Sequence, residues 1–175
     1  MKEAIVSKLG IKKFGRGAAR IQKNYPEAKM LVFTDDAWQL GGAKAVCIND
    51  RLSYILVKQN KDYFIMAEKR LGEFTSRFSN SRDPKSAFKT VMVFSGSELE
   101  GCTLERPFGE SAGSLPVVIN RELKPTFGTG IHSVSPAHSI EGLKMGHVYD
   151  LSKEGCVDAE TGFLTLPKML SGLDI

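Results

Sequence analysis

The chain has 175 residues, 42% of them hydrophobic and 25% charged, with 17 glycines and a formal net charge of +4. A chain of this size and composition makes one globular domain that buries about 70% of its unfolded surface, which argues against pervasive disorder, collagen and coiled coil. No apolar run reaches membrane-spanning length, the first residues lack a signal-peptide stretch, and Cys47, Cys102 and Cys156 form no C-x-x-C pair; reduced thiols in an intracellular compartment are expected.

In chain order, the first feature is charge. Lys8, Lys12, Lys13, Arg16, Arg20 and Lys23 cluster early, with Glu3 the one acid before Glu27. Such a run is a solvated loop or helix face, or a contact for a phosphate backbone. Residues 30–34, 45–48, 53–57 and 63–66 are short β-rich runs, the last two joined as a hairpin through residues 59–62. Residues 67–78 change to a helical period, with Leu71, Phe74 and Phe78 on one face. Residues 79–84 are a polar loop closed by Pro84. Strands resume at 89–94, 115–119 and 130–134, residues 138–148 read as a short helix, and 156–157 with 163–165 form a last strand pair. Seven or more short strands with few helices predict an α+β domain: a small, closed or nearly closed β-barrel core with short peripheral helices.

The chemical motifs are sparse. Gly109-Glu-Ser-Ala-Gly113 matches G-x-S-x-G, but a proline precedes it and a strand follows, which is not the strand-to-helix elbow that a nucleophilic serine needs. His132, His138 and His147 lack the spacing of a metal site. Asp35 and Asp36 follow a β run directly; adjacent carboxylates on a strand point to opposite faces, so they share one task only if the strand ends at Thr34. Gly128-Thr-Gly130 lacks both the third glycine of a dinucleotide loop and the lysine of a P-loop. No metal and no cofactor is expected.

Several segments, read together and in order, resemble the editing (connective-peptide) domain of class I isoleucyl-tRNA synthetases, in its bacterial or organellar form; valyl and leucyl relatives share the scaffold. Residues 31–40, Leu-Val-Phe-Thr-Asp-Asp-Ala-Trp-Gln-Leu, are similar to the family's aliphatic strand followed by T-T-T-P-W-T-L-P. Ala45-Val-Cys-Ile-Asn49 and Tyr54-Ile-Leu-Val57 resemble A-V-x-x-N-P and Y-V-L-V. Ser95-Gly96, Leu99 and Gly101 resemble S-G-x-x-L-x-G. Gly128-Thr-Gly-Ile131 with Pro136-Ala-His138 resembles G-T-G-I-V-H-x-A-P-G-H-G, and Val157-Asp158, Gly162-Phe163 and residues 171–175 resemble the closing segments.

The resemblance implies a single editing-type domain over residues 1–175, an insert excised from a longer synthetase, since neither H-I-G-H nor K-M-S-K-S occurs. It implies a barrel that binds the 3′ end of a mischarged, usually valylated, tRNA and hydrolyses the ester without metal. The implied partners are that tRNA end and the catalytic body of the parent synthetase, with no membrane, for a monomer in the cytoplasm, mitochondrion or plastid. Residue by residue, the substrate-binding positions fall on Thr34, Asp35, Asp36, Trp38, Gln39, Ala43, Ser133, His138 and Gly142. The family's later threonines become Asp35, Asp36 and Gln39, its asparagine Ala43, its pocket histidine Ser133, and its amine-holding aspartate Gly142. The scaffold is kept and the site rewritten, so little or no hydrolysis is expected. An active deacylase would need a new constellation of Asp35, Asp36, His132 and Glu141. A third reading is a non-enzymatic RNA- or protein-binding module using the basic segment 8–23. The two segments 34–39 and 131–138 are expected to wall one cleft.

Overall fold

In a computed structural model of the chain, the structure describes residues 5–78, 88–106, 113–158, 160–162 and 165. These hold nine strands: β1 (Ile5–Lys13), β2 (Lys29–Thr34), β3 (Ala45–Ile48), β4 (Ser53–Gln59), β5 (Asp62–Ala67), β6 (Lys89–Ser95), β7 (Thr103–Glu105), β8 (Ser114–Ile119) and β9 (His132–Val134). Three short helices accompany them: α1 (Ala19–Asn24), α2 (Leu71–Phe78) and α3 (Ile140–Val148). The pairings β1–β7–β8–β3–β9–β2 return from β2 to β1 and close a six-stranded barrel, while β5, β4 and β6 continue from β2 as an extension. The sheet is mixed, with β2–β5, β2–β9 and β3–β8 parallel. Closure leaves the six strands no free edge to template aggregation.

The apolar pattern explains the layering. Met30 and Val32 of β2 face the barrel core with Val46, Ile48, Leu56, Leu104 and Val117. Leu31, on the opposite face of the same strand, joins a second core with Ile55, Val57, Phe64 and Met66, against which Leu71 and Phe74 of α2 pack. A strand buried on both faces must be apolar at every position, which is why residues 30–33 read as an unbroken run. A third cluster of Ala45, Cys47, Val118, Leu123, Val134 and Met145 seats α3.

One edge of β2 changes partner midway. It pairs with β5 at Lys29 and Met30 and with β9 at Phe33. The turn at residues 128–131 fills the gap. Thr129 Oγ1 donates to the Leu31 carbonyl at 2.6 Å, the Ala67 amide donates to the Thr129 carbonyl at 2.9 Å, and the Phe33 amide donates to the Ile131 carbonyl at 2.8 Å. Gly130 sits at φ +74°, and a Cβ there would lie 2.3 Å from the Ala67 Cβ. Two side chains hold the turn from outside. Tyr54 Oη donates to the Gly130 carbonyl at 2.8 Å while accepting from the Asn49 amide, and Arg70 donates to the carbonyls of Gly128 and Thr126.

The barrel-type α+β architecture agrees with the sequence pattern, with local corrections. Lys8, Lys12 and Lys13 belong to β1, a strand and not a loop or helix face, because Leu9 and Ile11 alternate into the barrel between them. Strand β7 gave no signal at three residues. The expected strand 130–134 begins only at His132, since the glycine turn occupies its start. The expected helix 67–78 opens as a 3-10 turn, Glu68–Arg70, before α2. The closing turn is present: the Asp158 carboxylate accepts from the amides of Glu160 and Thr161, and the Thr165 amide donates to the Cys156 carbonyl. The loop 79–84, the segment 109–112, Phe163 and residues 171–175 lie outside the described residues.

Gly130→Ala is expected to lower stability by roughly 2–4 kcal/mol, combining positive-φ strain with overpacking. Gly72→Ala, on an open face of α2 with nothing within 4 Å of the added methyl, is expected to raise it by about 0.5–1 kcal/mol. Urea denaturation of the two variants checks both signs.

Candidate functional site

A cleft of about 680 Å³ opens beside the third cluster, where five segments converge. Asp35 and Gln39 come from the turn after β2, and Cys47 from β3. Residues 132–135 come from β9 and its exit, while Ser139, Glu141, Gly142 and Met145 come from the start of α3. Asn120, Glu122, Leu123, Lys124, Thr126 and Phe127 come from the loop that leaves β8. That loop is held by one buried side chain: Asn49 Nδ2 donates to the carbonyls of Arg121 and Leu123, both at 3.1 Å.

The structure gathers Asp35, Gln39, His132, Ser133, Glu141 and Gly142 around this cleft. Strand β2 ends at Thr34, so Asp35 and Asp36 lie in a turn and not on strand faces. Asp36 stays off the cleft wall, and its carboxylate accepts from Gln39 Nε2 at 3.2 Å. Thr34 is buried, with its hydroxyl donating to the Asp36 carbonyl. Ala43 lies in the barrel core. Trp38 and His138 pack edge to face at 5.0 Å beside the cleft. The antiparallel register pairs Cys47 with His132 and Val46 with Ser133. His132 therefore shares its face with the cleft floor, whereas Ser133 shares its face with a barrel-core residue. Residues 120–127 and Cys47 were not anticipated; a loop that acquires its role by folding across a distant helix leaves no local pattern.

Gly142 has a steric reason. A Cβ at this position would lie 2.4 Å from the Ser135 carbonyl oxygen and 2.6 Å from Ser139 Oγ, the helix cap that accepts from the Gly142 amide. With α3 docked this closely, no side chain fits at residue 142. The carboxylate that α3 presents to the cleft is Glu141, which is exposed.

The charge balance is acidic: Asp35, Glu122 and Glu141 line the cleft against Lys124. His132 is neutral in this setting. Its ring stacks on Phe33 at 4.6 Å and contacts Phe127 at 4.8 Å, and its buried Nε2 has no hydrogen-bond partner. Burial lowers its pKa to about 4, against the smaller opposing pull of Asp35. Burial also raises the Cys47 thiol to about 12, which rules it out as a ready nucleophile. Among the described residues no group of three or more His, Cys, Asp or Glu could hold a metal ion.

His138 has a structural task. Its Nε2 accepts from the Cys156 amide at 3.0 Å and lies 3.2 Å from the Cys156 thiol, pinning the segment after α3 beside Trp38. Burial, and secondly Lys44, push its pKa below the usual histidine value.

Because the imidazole of His132 is harder to protonate folded than unfolded, the unfolded chain takes the proton first as pH falls. Stability is expected to drop as pH descends from about 6.5 through 4, by about 3 kcal/mol for this residue. His132→Phe should flatten that part of the profile in urea melts at stepped pH.

No family model matches the chain. It is 29% identical over 150 residues to the isoleucine–tRNA ligase of Acaryochloris marina, covering 86% of this chain and 15% of that protein. It is 27% identical over 161 residues to the same enzyme of Nitrosococcus oceani, covering 88% and 16%. The chain thus spans about 15% of the length of the curated relatives it matches. Among solved structures it superposes on GlLeuRS-CP1 with a TM-score of 0.69 at 16% identity, covering 86% of this chain and 66% of that one. The cytosolic leucyl-tRNA synthetase editing domain of P. falciparum gives 0.61 at 11% identity, covering 87% and 71%. The chain is homologous to a segment of about 15% of the isoleucine–tRNA ligases and has the fold of the leucyl-tRNA synthetase editing domains.

Proposed function

We propose that the cleft receives the aminoacylated 3′ end of a tRNA and hydrolyses the ester at no useful rate. The observation that carries this reading is the cleft itself. In an editing-domain fold, it brings the turn after β2, β9 and α3 together, with Gly142 closed to any side chain and Ser133 on the neighbouring strand. Proofreading of this kind answers a physical limit, because one methylene supplies only about 1–3 kcal/mol of discrimination. Binding needs a partner for the α-ammonium group. Glu141 and Asp35 supply negative charge at the cleft wall, and either meets that need.

Hydrolysis asks for more. Water must meet the ester carbonyl in register, and a misplacement of ~1 Å costs about a hundredfold. The developing oxyanion needs donors held at its own position, whereas the charge on this cleft wall is three carboxylates against Lys124, and burial keeps the His132 imidazole neutral. Asp36, one member of the alternative constellation, is held by Gln39 away from the wall. Asp35, His132 and Glu141 do line one cleft, which keeps an active deacylase as the second reading.

The purified chain is expected to leave valyl-tRNA for isoleucine intact at the buffer rate, yet to bind it more tightly than the unacylated tRNA. Glu141→Gln or Asp35→Asn should reduce that preference by roughly fivefold, the effect of about 1 kcal/mol for a solvent-screened ion pair. Rapid deacylation abolished by His132→Phe would establish the second reading instead. Equal affinity for acylated and bare tRNA, with the ester still intact, would overturn both.

A further inference from the structure

A second surface, away from the cleft, concentrates cations that have no acidic partner among the described residues. Lys58 of β4 and Lys89 of β6 are direct cross-strand partners, both exposed, and neither has an ion pair or hydrogen bond among the described residues. Like charges placed opposite one another destabilise a sheet. Lys58 lies 5.7 Å over the ring of Tyr63, its partner across the β4–β5 hairpin, and Tyr63 in turn packs against Tyr25 with ring centroids 4.8 Å apart. Tyr25 is the C-cap of α1, whose Arg20 and Lys23 are three apart on one exposed face. Lys61 adds a cation at the hairpin tip. The acids at this end are Asp62, already paired with Lys29 at 3.4 Å, and the exposed Glu27.

We infer that this surface, from Arg20 and Lys23 across the Tyr25–Tyr63 pair to Lys58 and Lys89, binds the sugar–phosphate backbone of an RNA. It rests on the tRNA reading of the cleft but uses different residues. Phosphates relieve the repulsion between Lys58 and Lys89, and the tilted, half-buried Tyr25–Tyr63 pair sets aromatic edge and face among the cations, where bases can pack as ammonium groups contact the backbone. Cations on two elements around an aromatic pair match the alternation of phosphates and bases in a nucleic acid strand. The hairpin pairs with Lys29, the first residue of β2, whereas Asp35 follows the last. About 20 Å of strand therefore separates the surface from the cleft, so one RNA reaching both must cross the barrel.

The test is binding of bulk unacylated tRNA to the full chain, followed by fluorescence anisotropy across a potassium chloride series. Lys58→Gln/Lys89→Gln and Arg20→Gln/Lys23→Gln are each expected to reduce the slope of log K against log salt by roughly 1.5–2, one released counterion per lost contact. Lys69→Gln/Lys153→Gln, with the same change of net charge on exposed residues elsewhere, should leave the slope as it is. Lys89→Gln should also raise the melting temperature of the free protein while weakening tRNA binding, a pairing of signs that simple misfolding does not give. Equal slopes in all three double variants, no binding of bare tRNA, or tighter binding to phosphatidylserine vesicles than to tRNA would each overturn the surface. No acylated-over-bare preference in the unmodified chain, or a preference unchanged in Glu141→Gln and Asp35→Asn, with these slope changes intact, would count against the cleft reading alone.

Discussion

A single hydroxyl sits where the topology is under most demand. Strand β2 serves the barrel and its extension at once, and its edge must pass from β5 to β9 within six residues. A buried carbonyl left over at such a changeover costs about 1–3 kcal/mol, and Thr129 supplies the missing donor to Leu31. The rest follows from keeping that turn in place. Tyr54 and Arg70 brace it, Asn49 joins the brace to the loop 121–123, and the same loop then forms one wall of the cleft. Barrel closure and site geometry are thus mechanically one unit.

This explains which residues made the family resemblance visible. Gly128-Thr-Gly130, Asn49, Tyr54 and Ser95-Gly96 are bound to backbone or packed where backbone approaches. Ser95 caps a short turn with Glu98 in a reciprocal box, and Leu99 behind it is fully buried. All of them serve the scaffold, and their spacing in the sequence reports barrel construction and not chemistry. The wall of the cleft obeys no such constraint. Asp35 and Glu141 are exposed side chains whose replacement disturbs no core, so the fold does not dictate their identity.

Legibility in the sequence followed the same division. β2, β3 and the β4–β5 hairpin were plain because alternating or continuous burial dictates their composition. β1 was hidden by its lysines: Lys8 and Lys12 lie on the face opposite Leu9 and Ile11, and the lysines together with the arginines that follow read as a basic loop or helix face. The cleft was half legible. The approach of residues 34–39 to 131–138 came from the resemblance, but the contribution of residues 120–127 depends on Asn49 reaching 72 and 74 positions along the chain. Nor did spacing alone reveal that His132 faces the cleft floor while Ser133 aligns with the core; that is decided by the register of a three-residue strand against β3.

The tight docking of α3 has a consequence for how such a site can change over time. Contact at Gly142 with the Ser135 carbonyl, together with Gly146 3.0 Å from Pro136 by the same measure, leaves the helix no slack along its inner face. A substitution that adds a side chain at residue 142 is therefore not a local edit, because the whole helix must first retreat. Small-to-large changes on this face are blocked individually even where their combination would be accommodated. The arrangement sets an asymmetry on change: groups around the rim of the cleft can be exchanged one at a time, whereas a side chain at the helix face requires several residues to move together.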